Sequence, residues 1–148
     1  MTTMTSRLVA SKAVPDLYRA MLGLDAAVSN SGLDPKLQEL LKFRAAQING
    51  CAYCMDMHSR DALAAGERAE RLHVVAGWRE AGDWFDERER AALALTEAIT
   101  RIADGGVPDD VYEAAAEQFS EAELGALVFL AMTINAWTRL GVATAMTP

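Results

Sequence analysis

The stretch ELLKFRAAQINGCAYCMDMH, residues 39–58, holds the only two cysteines of the chain. Cys51 and Cys54 are three apart, and His58 lies four beyond the second. Before the cysteines, Leu37, Leu40, Leu41, Arg44, Ala45 and Ile48 recur at helical spacing. Asp34 is placed to cap that helix and Pro35 to open it. Asn49-Gly50 then breaks the chain. A new helix is predicted from near Cys51 to Gly66, so the cysteine pair sits in a first turn. On it Cys51, Cys54 and His58 fall at i, i+3 and i+7, one face.

Outward from this corner the pattern stays helical. Ala, Leu, Glu and Arg dominate, and no segment alternates as a strand would. Towards the N-terminus, Pro15 opens a helix with Leu17, Met21, Leu24 and Val28 on one stripe, ended by Asn30-Ser31-Gly32. Towards the C-terminus a short helix is predicted over Glu67 to Gly77. Asp86 and Glu89 form a capping box ahead of the stripe Ala92, Leu95, Ile99 and Ile102. Gly105 to Pro108 is a turn, and a helix from Asp109 to Phe119 follows. Ser120 and Glu123 form a second capping box, opening a helix apolar almost all round to Trp137. No linker or repeat divides the chain, so a single all-α domain over 1–148 is expected.

Of 148 residues, 51% are hydrophobic and 24% charged, and 21 acidic against 14 basic side chains give a net charge of −7. Such a field repels phosphate backbones and anionic lipid, which argues against nucleic acid or a membrane surface as partner. The first fifteen residues carry no apolar run of signal-peptide length. The most apolar window, Leu124 to Trp137, falls short of the ~20 residues of a bilayer span. The expectation is a soluble cytoplasmic protein, where cysteines do not serve as stable disulfides.

The pair could be a metal clip, a staple, inert packing or a redox couple. Structural zinc takes four ligands, usually in two close pairs, and His58 and His73 are too far apart in sequence to supply the second. A Cys-x-x-Cys staple closes too small a loop to stabilise much. Against inert packing stand the helix start, whose partial positive charge favours thiolate, and His58 one turn along. The helix end favours Cys51 as the nucleophile and the i+4 histidine favours Cys54, so local physics leaves both open.

The spacing Glu39, eleven residues, Cys51-x-x-Cys54, then His58, with Ala62 and Gly66 beyond, resembles the AhpD-like branch of the carboxymuconolactone decarboxylase family. So do the runs ERERAALALTEAIT and INAWTR. The resemblance covers about residues 36–103 and, more loosely, 121–142. It implies a compact multi-helix bundle assembled as a homo-oligomer, a trimer or a hexamer. It also implies alkylhydroperoxidase or disulfide reductase activity and an antioxidant role. By it Cys54 is the peroxidatic nucleophile and Cys51 resolves, with Glu39 and His58 in the proton relay. Peroxidase members carry a second histidine where this chain has Tyr53, which cannot shuttle protons at neutral pH as His does.

The resulting expectation is a thiol peroxidase acting on a hydroperoxide, with a dithiol or protein reductant and no metal, haem or flavin. The chain has no Gly-rich dinucleotide fingerprint. The rival readings are a non-catalytic redox sensor using the same pair, and a decarboxylase-like lyase using Glu39 and His58 alone. His73 is read as structural. Trp78, Trp84 and Trp137 are read as core or subunit contacts, and Asn135 and Arg139 as contacts to a neighbouring helix end or subunit.

Overall fold

The computed structural model describes residues 6–148, and residues 1–5, part of the leader reading, lie outside it. Among the described residues there is no strand, as the periodicity predicts. The helices are α1 (Ala10–Ala13), α2 (Pro15–Ser29), α3 (Pro35–Asn49), α4 (Ala52–Ala64), α5 (Ala69–Val74), α6 (Glu87–Thr100), α7 (Asp109–Gln118) and α8 (Glu121–Ala143). Short 3-10 segments cover Val75–Glu80, Gly82–Trp84 and Ile102–Asp104.

Helix α3 is the central element. It is buried on every side from Leu40 to Ala46, with α4, α6 and α8 packed around it. Its bounds are those the sequence dictates. The Asp34 carboxylate accepts from the Lys36 N–H at 3.2 Å, and Pro35 occupies the first turn. At the other end Gly50 takes φ +66°, a conformation that a Cβ strains. There the Gly50 N–H donates to the Gln47 carbonyl and the Cys51 N–H to the Ala46 carbonyl. This crossed pair satisfies the last carbonyls of α3. Cys51 at once caps α4, its Sγ accepting from the Cys54 N–H at 3.3 Å. One residue therefore ends one helix and begins the next.

Both capping boxes form, at Asp86/Glu89 on α6 and Ser120/Glu123 on α8, each cap contributing about 1 kcal/mol. α2 lies on α8.

Several elements depart from the periodicity. The helix expected over Glu67 to Gly77 is only α5, and the chain tightens to 3-10 geometry beyond it, with Gly77 off helical φ/ψ. α6 ends at Thr100, so Ile102 leaves the stripe and is exposed. On α2, Leu17 and Leu24 are exposed and only Val28 is buried. α8 runs past Trp137 to Ala143, 23 residues, long and apolar enough by length and composition to cross a membrane, contrary to the shorter window read from sequence. Here it buries Leu124, Leu127, Leu130, Ala131 and Ile134 against the protein's own helices. Trp78 is buried in the core, which removes it as a subunit contact, and Trp84 is exposed with the Arg68 guanidinium over its ring.

Candidate active site

At the α3–α4 corner Cys51 and Cys54 are joined by a disulfide, with their Cα atoms 5.3 Å apart. Both are buried, at 2% and 3% exposure, over Ala46, with Tyr53 and Met55 packed alongside. The N-terminal turn of α4 surrounds the sulfurs with its partial positive charge. From the opposite side α8 closes on them at Gly141. A Cβ there would lie 2.9 Å from the Cys51 Sγ and 3.7 Å from the Cys54 Sγ. The backbone of α8 approaches this closely only because position 141 has no side chain.

One turn and more along α4, His58 is buried, and its Nδ1 lies 2.7 Å from Oε2 of Glu39 on α3. The other oxygen of Glu39 accepts from Lys42 Nζ at 3.0 Å. Burial pushes the Glu39 carboxyl up, but the His58 hydrogen bond and the Lys42 ammonium outweigh it and hold it below the ordinary range. An ionised carboxylate only accepts, so Nδ1–H must donate and Nε2 of a neutral His58 is left as the acceptor. Glu39, His58 and Asp61 also present ligand atoms within 4.8 Å of one another. The Lys42 ammonium on Glu39 opposes a cation there, and Asp61 is exposed.

The corner is tied to α8 by a buried polar network. Asn49 Nδ2 donates to Asn135 Oδ1 at 2.9 Å and to Thr138 Oγ1 at 2.8 Å. Asn135 Nδ2 in turn donates to Thr100 Oγ1, and Arg139 reaches Asn135 Oδ1 at 2.8 Å. Asn135 thus meets a helix end of its own chain, and Asn49 anchors the turn as well as breaking it.

Over Cys54 opens a pocket of about 190 Å³. Its floor is Cys54 and His58, and Tyr53 and Met57 of α4 stand beside them. α2 contributes Tyr18, Leu22 and Asp25, while Trp137 and Leu140 of α8 and Met146 close the far wall. Trp137 stands edge-on to Tyr18 with centroids 5.5 Å apart, so it lines this pocket and is not core packing alone.

The structure therefore brings Glu39, Cys51, Cys54 and His58 to one corner. His73 is exposed on α5 and makes none of these contacts. Sequence reasoning missed Gly141, the Asn49 anchor and the pocket wall on α2. Nothing in the local pattern marks a helical glycine as facing a sulfur, or marks the face at Tyr18, Leu22 and Asp25 as facing a cavity.

Residues 15–98 match the model of the carboxymuconolactone decarboxylase family. The uncharacterized protein YdfG of Bacillus subtilis (strain 168) is 34% identical over 140 residues, 95% of each chain. The uncharacterized protein YnjA of Escherichia coli (strain K12) is 34% identical over 70 residues, 47% of this chain and 38% of that one. Among solved structures, ATU0492 of Agrobacterium tumefaciens superposes with a TM-score of 0.93 at 34% identity, covering 97% of this chain and 99% of its own. That protein is described as of unknown function and provisionally named an antioxidant defence protein, AhpD. With this fold, a family match over more than half its length and a relative matched nearly end to end, the chain belongs to the carboxymuconolactone decarboxylase family, in its AhpD-like branch.

Proposed function

We propose that the protein is a thiol-dependent peroxidase that reduces organic hydroperoxides through Cys51 and Cys54. The observation that carries this reading is the bonded pair at the start of α4, with the 2.7 Å His58–Glu39 contact beside it on the floor of an open pocket.

In the reduced protein, Nε2 of His58 accepts the Cys54 proton, and Glu39 stabilises the imidazolium through Nδ1. The thiolate attacks the terminal oxygen of RO–OH. An S–O bond forms, the O–O bond breaks, and RO⁻ takes the proton from His58 and leaves as the alcohol. Cys54 is now a sulfenic acid. The Cys51 thiol displaces its hydroxyl, releasing water and forming the disulfide. A dithiol reductant then returns two electrons and two protons by exchange and leaves as its own disulfide. Tyr53 lines the pocket as a wall and takes no proton in this scheme. A reducing compartment such as the cytoplasm supplies the dithiol.

The reading extends to assembly as a homo-oligomer, a trimer or a hexamer. Phe129 and Met132, three residues apart on one face of α8, are each 48% exposed, an apolar patch suited to a subunit contact. Light scattering at micromolar concentration is expected to give three or six chains, and a monomer would remove the assembly.

The test of the activity is hydroperoxide consumption with a panel of dithiols, comparing wild type with Cys54→Ser. Sustained turnover in the wild type and none in the variant is expected. Consumption that stops at one equivalent per chain would make the protein a sensor, and equal rates in both proteins would overturn the reading.

A further inference from the structure

We infer that the pocket over Cys54 selects uncharged, apolar hydroperoxides against those bearing a carboxylate, and that Asp25 is the residue that sets this selection. The inference rests on the peroxidase reading above and names its substrate class.

Three observations carry it. The walls are chiefly apolar: Leu22, Met57, Trp137, Leu140 and Met146. A hydrocarbon body buried there leaves water for an apolar surround, which is favourable. Met57 and Met146 adapt to irregular shapes, and the edge-to-face Tyr18–Trp137 pair offers a rigid aromatic wall. At about 190 Å³ the space is below the roughly 300–1,000 Å³ of drug-sized ligand sites, which suits a small compact organic group.

The charges are one-sided. Asp25 on α2 lines the pocket half-buried, and it takes part in no salt bridge among the described residues. Among the described residues no lysine or arginine lines the space. The nearest cation to the relay, Lys42, is buried and held by Glu39. A substrate carboxylate would lose its water without gaining a partner, and would share a low-dielectric space with Asp25. The net charge of −7 adds to the repulsion during approach. An uncharged arylalkyl or branched alkyl hydroperoxide meets none of these penalties.

The test uses the reduced full-length protein and the rate at which the Cys51–Cys54 disulfide forms. Cumene hydroperoxide is compared with its para-carboxylate, in wild type and in Asp25→Asn. The neutral compound is expected to react faster by about ten-fold or more, and Asp25→Asn to narrow that gap by about three-fold. Equal rates, a faster carboxylate, or a gap untouched by Asp25→Asn would overturn the inference. A parallel measurement needs no peroxide: the alkylation rate of the reduced pair with iodoacetamide against iodoacetate. If neither hydroperoxide oxidises the pair, the peroxidase reading fails and this ratio decides the selectivity. A preference for iodoacetamide beyond that of a free thiol, relaxed in Asp25→Asn, sustains it; the free-thiol ratio overturns it.

Discussion

Two glutamates contact α3 side chains, and they do opposite things. Glu97 of α6 is buried, and its Oε1 accepts from Arg44 Nε at 2.8 Å and Trp78 Nε1 at 3.0 Å. Its Oε2 accepts from Arg79 at 2.7 Å. Glu39 is half-buried and bonded to Lys42 and His58. Burial raises both carboxyls and the bonded donors outweigh it, so both are held below the ordinary carboxylate range. The difference lies in the partners. A guanidinium does not give up a proton, so the Glu97 cluster can only hold helices together. A histidine can, so the Glu39 cluster can move a proton on the floor of a pocket. A buried acid is structural or reactive according to what it is bonded to, and its burial alone does not decide.

The largest expected effect breaks the structural half of that contrast. Glu97→Ala leaves the Arg44 guanidinium buried without its partner, and should cost about 3 kcal/mol. Urea denaturation reads it, and an unmoved midpoint would contradict the structural role. The alkylation rate of Cys54 in the folded variant should stay within about two-fold of wild type, since the two clusters share no bond. Next in size, Glu39→Gln should slow hydroperoxide reduction by about 100-fold while costing less stability than Glu97→Ala, because the amide oxygen still accepts from the buried Lys42. It should also shift the pH profile of Cys54 alkylation upward, because His58 loses the charge that stabilises its protonated form. An unchanged profile would leave the helix start as the only activator of the thiol.

A smaller effect is expected at Gly141. An alanine Cβ would press on the Cys51 Sγ in the bonded pair, whereas a free Cys51 side chain can turn away. Gly141→Ala should shift the dithiol–disulfide equilibrium toward the dithiol by about ten-fold, or about 30 mV. Gly125→Ala on the same helix, with nothing within 4 Å of the added Cβ, serves as the control and should shift nothing. Equal shifts in the two variants would make the effect one of helix propensity.

The smallest effect is in acid. A carboxyl held below its ordinary value stabilises the fold above the unfolded value, and that stability is lost as pH falls through the lowered one. As pH falls below the ordinary glutamate range, wild type should therefore lose stability more steeply than Glu97→Ala, which has already lost that contribution. Parallel curves would contradict the depressed carboxyl.

The sequence disclosed those parts of this arrangement that are local. Pro35, Gly50 and the two capping boxes fix helix ends through bonds spanning five residues or fewer, and they fall where the pattern places them. Cys51, Cys54 and His58 share a helix, so their common face follows from spacing. Glu39 joins them only through the family resemblance, because the α3–α4 crossing that places it by His58 is a tertiary fact. Asp25 and Gly141 carried no signal at all. Each faces residues of helices far apart in the chain, where an ordinary solvated aspartate or a helical glycine would look the same. The buried Lys42 and Arg44 run against composition for the same reason, since their partners decide their burial.

The central claim is that Cys54 attacks and Cys51 resolves. The direct measurement is mass spectrometry of the reduced single-cysteine variants after one equivalent of cumene hydroperoxide. Cys51→Ser should gain one oxygen at Cys54, trapped by dimedone as the sulfenic acid, while Cys54→Ser should stay unmodified at Cys51. Oxygen on Cys51 in the Cys54→Ser variant with an intact Cys54 in the other would reverse the roles, and two unmodified proteins would contradict the peroxidase altogether.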